Sequence, residues 1–486
     1  MAVSGGGPGA QQKCLDSGIS KWRVVHTGVG RPGGEGSLPI ESMCGGEGMK
    51  PLKILLVQAA LSWSGRPDPS RLAWLCEPVA LTSLAAVATP HEVRILDLRI
   101  SGGSSLGPVV RLFRPDLVLV APAPGEHAEA SAVLRVAKGL LGGGCTTVLV
   151  APEGEVLSSE EPTTDVALTV DPEGALRELL AHLGSGGART RLNAIAGLRF
   201  RGEDGVMRET AVRPSVSLDT LPPPARHLLT AERSQYFFAV AQPAAAMRTS
   251  RGRRTVQRMS AETICDRLEI IPENFVVFLD EDLFVDPLRL AQLSEAMLRR
   301  DVQKYWAAQA SPEQIAELPH LILSLRDAGL AAVILTFDLG EADGLEMLLD
   351  PVIAARNRRA AGVLRALGVA AMGLFTVRRD LSDEESATLA AHVRELGIAW
   401  SVVRGASRQA GRGRGPLPVA LEIEAPGTTS ALKAGWEHAA WELLRRRPRL
   451  LMRTLPGVAK ALGRSFRGRA SISSAGWSMS ASGSSS

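Results

Sequence analysis

Short apolar runs of strand length, each followed by a stretch with helical spacing, recur along this chain in two series. That alternation constrains the fold more than any single residue does. Lys53–Ala60 (KILLVQAA) is nearly all apolar, as a parallel strand covered on both faces must be. Val93–Ile100, Leu117–Pro122, Thr147–Pro152 and Val166–Val170 repeat the pattern, with helical stretches at Pro78–Val87, Ala128–Leu141 and Pro172–Leu183 between them. Such a series predicts a doubly wound, Rossmann-like sheet whose ligands sit outside the carboxyl ends of the strands.

Gly197–Val212 reads as a hairpin turned by Glu203-Asp204-Gly205, and the Pro-rich linker Leu221–Pro224 follows. A second series then begins, with strands predicted at Ala245–Thr249, Phe275–Leu279, Tyr305–Ala310, Val333–Phe337, Ala370–Val377 and Ile398–Val403. Helices are predicted at Ala261–Ile270, Pro287–Arg300, Pro312–Ala328, Met347–Leu367 and Asp383–Leu396. Six strands with five intervening helices suit a partial (β/α)6 barrel, with chemistry at the strand carboxyl ends.

The 486 residues carry a net charge of only +4, which excludes a whole-protein nucleic-acid binder. Cys14, Cys44, Cys76, Cys145 and Cys265 are scattered, with no pair at metal-ligand spacing, and suit a reducing, cytoplasmic compartment. No apolar run approaches the roughly 20 residues that span a bilayer. Residues 1–48 are rich in Gly, Ser and Pro and read as a disordered extension, with Met49 the expected start. The predicted order is then a Rossmann-like domain over 49–185, hairpin and linker over 186–244, and the barrel over 245–404. A Gly/Arg-rich linker and basic helical region covers 405–470, and a Ser-rich tail 471–486. The region Trp436–Arg469 mixes Trp and Leu with arginines. It reads either as an amphipathic helix lying on an anionic membrane or as a helix packed on the barrel with a solvated basic face.

Local wording narrows the family. Residues 76–100 (CEPVALTSLAAVATPHEVRILDLRI), 222–238 (PPPARHLLTAERSQYFF), 278–286 (FLDEDLFVD), Tyr305–Pro312 and Asp327–Leu339 follow in order. Over about Lys53 to Val403 they resemble cobalamin-binding radical S-adenosylmethionine proteins, hopanoid-methylase-like members above all. In that family a "TSRG" strand end leads into CxxxCxxC, whose thiolates hold three irons of a [4Fe–4S] cluster. Here Thr249-Ser250-Arg251-Gly252 runs straight into Arg253-Arg254-Thr255-Val256, wording that resembles the family's sequence after the loop. The cluster is expected of the family, but its ligands are absent, because Cys265 alone cannot replace three thiolates. Cobalamin and S-adenosylmethionine are the remaining cofactors that the resemblance implies, and the ancestral reaction is radical methylation or a related modification of an unactivated carbon. The substrate would be a small molecule or a lipid.

The resemblance also supplies cofactor-binding candidates. Ser250 and Gly252 end the first barrel strand, and Asp280 and Asp282 follow the second, where with Glu281 they line a pocket, cap the next helix or are solvated. Gln309 and Ser311 could face S-adenosylmethionine, although Ser311 also suits the N-cap of the helix that begins at Pro312. Asp338 lies where relatives often place a Glu. Glu153 and Gly154 replace the Gly-Gly loop that approaches the corrin in relatives. His127 stands at the ligand end of the first sheet without a DxHxxG context, and reads as structural or solvated. No catalytic residue and no metal ligand is assigned. Three readings stay open: a degenerate family member, a corrinoid-binding or regulatory pseudoenzyme paired with an active paralogue, or an active enzyme whose cluster loop is missing from the gene model.

Overall fold

In the computed structural model the first apolar run forms strand β1 (Lys53–Gln58), hydrogen-bonded on both sides. Next come β2 (Trp74–Leu75), β3 (Glu92–Asp97), β4 (Leu117–Val120), β5 (Thr146–Val150), β6 (Val166–Leu168), β7 (Leu198–Arg201) and β8 (Met207–Glu209). The structure describes residues 50–59, 74–122, 127–151, 163–188, 190–214, 216–239, 241–252, 256–281, 283–339, 344–377, 382–398 and 400–405. All of them belong to one unit that begins at Gly48.

Seven strands form the first sheet in the order β3-β1-β4-β5-β6-β7-β8, parallel from β3 to β6 and antiparallel thereafter. Alternating residues explain why both faces are covered. Ile54, Leu56, Leu117 and Leu119 pack with Leu81, Leu84, Leu176 and Leu180 of the helices Val79–Ala86 and Pro172–Gly184. Leu55, Val57, Val118 and Val120 pack on the other face with Val110, Phe113, Val133 and Leu134 of Leu106–Phe113 and His127–Leu141. Helices on both faces, with the order reversing between β1 and β4, put a ligand crevice at the carboxyl ends of those two strands. The run read as a strand to Ile100 ends at Asp97 instead. Its carboxylate accepts from the Arg99 N–H at 3.0 Å and caps the short helix Leu98–Ser101.

The second series contributes β9 (Phe237–Phe238), β10 (Ala245–Met247), β11 (Ser250–Arg251), β12 (Gln257–Arg258), β13 (Phe275–Phe278), β14 (Tyr305–Ala310), β15 (Leu330–Asp338), β16 (Ala370–Val377) and β17 (Trp400–Gly405). Six of these build a wholly parallel sheet in sequential order, β10-β13-β14-β15-β16-β17. Parallel neighbours need crossovers, and crossovers of one hand in a sequential sheet place every helix on one face. The packing agrees: Val276, Phe278, Trp306, Val333 and Leu335 share a core with Ile264, Leu293, Leu325, Leu364 and Val393 of the crossover helices. The opposite face carries Phe275, Val277, Ala307, Ile334, Met372 and Leu374. Its amino end is closed by the antiparallel β2–β9 ribbon, through a stack of Trp74 on Phe238 (6.2 Å) and Phe238 on Phe275 (5.5 Å). Its carboxyl end is left to polar side chains.

Candidate functional site

The crevice of the first sheet is bordered by Gln58 and Ala59 at the end of β1, Ala121 and Pro122 after β4, and Ala151 after β5. Glu153 and Gly154 lie outside the described residues. His127 opens its helix, and its carbonyl accepts from the Ser131 hydroxyl at 2.8 Å.

At the second sheet, Asp280 decides the local geometry. Only 2% exposed, its carboxylate accepts from the main-chain N–H of Thr249 (2.9 Å) and of Ser250 (2.5 Å). The hydroxyls of Thr249 (3.2 Å) and Ser250 (2.6 Å) donate to it as well. Burial pushes this carboxyl above the usual aspartate range, while the Ser250 and Thr249 donors and the Arg248 charge pull it down. From the helix Pro287–Arg299, Arg289 donates to the Thr249 hydroxyl at 2.8 Å and fixes the same turn from behind. The turn ends at Gly252, whose φ of +98° suits a residue without Cβ. Asp280 and Ser250 are therefore brought together, with the aspartate holding the strand end in shape. The capping role considered for the acidic triplet belongs to another residue: Asp286 caps the next helix by accepting from Arg289 N–H at 3.0 Å. Asp282 lies outside the described residues.

Gln309 and Asp338 occupy the same alternating positions as Ala307 and Ile334, on the helix-free face near the carboxyl end. Thr336 stands between them and donates to the Ala310 carbonyl at 3.4 Å, and Asp338 is in register with Thr376 of β16. These polar groups follow the apolar floor along each strand, so the face changes from dry to hydrated toward its carboxyl end. Ser311 is engaged locally. It accepts from Gln314 N–H at 3.3 Å while its own N–H donates to the Gln314 side chain at 2.9 Å, a complete capping box.

The junction between the two sheets was not legible in sequence. Glu77 and Arg226, 149 positions apart and 4% and 8% exposed, form an ion pair at 2.8 Å. Glu77 also accepts from the Ala246 N–H (2.8 Å), and Arg226 donates to the Ala246 carbonyl (2.6 Å). The start of one helix, the linker and β10 are thus joined at one point. Arg251 adds a second link, donating to Glu173 (2.7 Å) and Asp171 (3.4 Å). The only hint in sequence is a lone acid before Pro78 and a lone base in a Pro-rich linker. A cleft of about 100 Å³ opens beside these contacts, between Val79, Leu221, Pro222, Met247 and Arg248.

A [4Fe–4S] cluster does not fit the described residues. Among them no group of three or more His, Cys, Asp or Glu side chains converges in a way that could hold a metal. Ligation requires thiolates. Burial pushes the Cys76 thiol up to about 12 and those of Cys145 and Cys265 up to about 11, so all three are held neutral. Cys265 faces the core of the helix Ala261–Ile270. Among the described residues, no helix is long and apolar enough to cross a membrane.

No family model and no curated protein matches the chain. Solved structures do. The chain is similar to the cobalamin-dependent S-adenosylmethionine radical enzyme OxsB in its apo form, with 14% identity and a TM-score of 0.53 over 71% of this chain and 52% of that one. The same enzyme with aqua-cobalamin and S-adenosylmethionine bound gives 12% identity and a TM-score of 0.52, over 80% and 55%. This chain thus spans about half the length of the solved structures it matches. At such identity the likeness is one of fold: a mixed α/β chain with parallel sheets, like that of a cobalamin-dependent S-adenosylmethionine radical enzyme.

Proposed function

We propose that this chain is a degenerate member of the cobalamin-dependent radical S-adenosylmethionine family that holds a corrinoid, or acts as a regulatory pseudoenzyme, without a [4Fe–4S] cluster. The observation that carries the reading is the Ser250–Arg258 ribbon. β11 and β12 pair antiparallel, Ser250 with Arg258, across a connection whose sequence contains no cysteine. In relatives the cluster loop follows this strand end, which here is fixed by the Asp280 carboxylate through Thr249 and Ser250. A cluster that would start a radical step finds no set of ligands among the described residues.

In this reading the first sheet is a cobalamin-binding-type domain and the second a partial radical-type barrel. Its crevice beside β1 and β4 would take the corrinoid, which when bound carries a transferable methyl group. Gln309, Thr336 and Asp338 would present hydrogen-bonding groups to S-adenosylmethionine if that is kept. The ancestral substrate class, a small molecule or lipid with an unactivated carbon, the closer likeness to hopanoid methylases, an active paralogue as partner, and peripheral membrane contact through the tail belong to the same proposal. The tail lies outside the described residues.

The test is anaerobic reconstitution of the full chain with iron, sulfide and hydroxocobalamin, followed by gel filtration. The expected result is corrinoid absorbance that travels with the protein and iron at background. About four irons per chain with a broad band near 400 nm would sink the reading. Neither cofactor would mark a relic that keeps only the fold.

A further inference from the structure

Four guanidinium groups, those of Arg226, Arg248, Arg251 and Arg267, line the junction cleft. Two are neutralised: Arg226 by Glu77, and Arg251 by Glu173 and Asp171. The other two make no such ion pair among the described residues, although the Asp219 and Asp266 charges act on Arg267 and the Asp280 charge on Arg248. Arg267 is 7% exposed and donates only to main-chain carbonyls, those of Leu221 (2.5 Å), Pro222 (3.1 Å) and Leu218 (3.4 Å). Its Nε, fully buried, has no partner among the described residues. Burial and, after it, the nearby Arg226 charge push this guanidinium below the usual arginine range, against the weaker pull of the Asp219 and Asp266 carboxylates. Arg248 is exposed at the cleft, and among the described residues it makes no ion pair. The Asp280 carboxylate near it accepts its hydrogen bonds from Thr249 and Ser250, so Arg248 feels that charge without a direct contact.

A buried cation whose hydrogen bonds all go to neutral carbonyls is costly, and an anion in direct contact offsets that cost. The linker carbonyls also hold the Arg267 guanidinium in one orientation, so little freedom is left to lose when an anion arrives. We propose that the cleft binds a phosphoryl group between Arg248 and Arg267. The two guanidinium groups come from different elements, the end of β10 and the helix Ala261–Ile270, and a tetrahedral oxyanion can offer oxygens to both. A volume of about 100 Å³ takes the oxyanion itself and leaves any ester portion outside, over Leu221 and Pro222. Neither probe used below contains a corrinoid, so anion binding is read separately from corrinoid retention.

The full chain is titrated with inorganic phosphate and, separately, with adenosine 5′-monophosphate, by calorimetry and thermal unfolding at constant ionic strength. Saturable binding of either, with Tm rising relative to chloride, is expected. Arg248→Gln, an exposed position that leaves folding intact, should weaken it about tenfold, the loss of one charge-assisted contact. Tighter binding of the nucleotide identifies a phosphate ester as the source, and equal binding identifies the free anion. Phosphate that does no more than chloride, or an Arg248→Gln chain that titrates like the parent, overturns the proposal. Arg267→Met is the second variant. If it folds, it must lose binding too.

Discussion

At the scale of single residues, the groups that matter most are buried charges whose partners lie far away in sequence. Removing Glu77 leaves Arg226 buried and uncompensated, so Glu77→Gln is expected to cost about 3–5 kcal/mol by urea unfolding. The double change Glu77→Met with Arg226→Met should cost clearly less, and an equal cost for single and double variants would disprove the coupling. Two histidines predict the acid side of the stability curve. The His91 Nδ1 accepts from the Leu52 N–H at 3.1 Å, and His392 is 2% exposed. Burial lowers both from the ordinary value of 6.5. As pH falls through 6.5, the unfolded chain takes up protons that the folded chain refuses, so stability falls and goes on falling until the folded-state values are reached. His91→Asn keeps an acceptor without the titration and should flatten part of this slope. Unfolding free energies measured between about pH 8 and pH 5 decide it, and identical slopes in parent and variant would refute the assignment.

Among elements, prolines explain where the sequence reading was too coarse. Pro312–Ala328 reads as one helix, yet the structure has Pro312–Glu317 and Pro319–Asp327, because the residue before a proline is driven out of helical geometry. Leu318 sits at ψ +43° for that reason. Met347–Leu367 divides in the same way at Pro351, where Asp350 at ψ +131° caps the second helix through Val352 and Ile353. Periodicity shows that a helix is present. It does not show a cap whose own side chain restarts the helix. The N-cap role of Ser311 was legible from its place before Pro312, and the structure adds Gln314 as the other half of a capping box. Ser311→Ala should cost about 1 kcal/mol, read as a lower denaturation midpoint at unchanged m-value. No change in the midpoint would mean that Gln314 alone serves this helix start.

For the whole molecule, Arg251 of β11 is one of the links between the two sheets, through Asp171 and Glu173. Because Arg251 is a quarter exposed, Arg251→Ala should cost about 1 kcal/mol or less in global stability. It should nonetheless speed amide exchange at 245–252 and 171–176, and unchanged exchange there would show that the link carries no load. Two α/β series, their order, most helices and the absence of a cysteine triad were all determined by the sequence alone, because apolar period and ligand spacing are local properties of the chain. Asp280 as the clasp of Thr249 and Ser250, the Glu77–Arg226 pair and the four arginines of one cleft were decided only by tertiary structure. Each depends on residues 30 or more positions apart, or on which charges are left without a partner, and no local pattern records either.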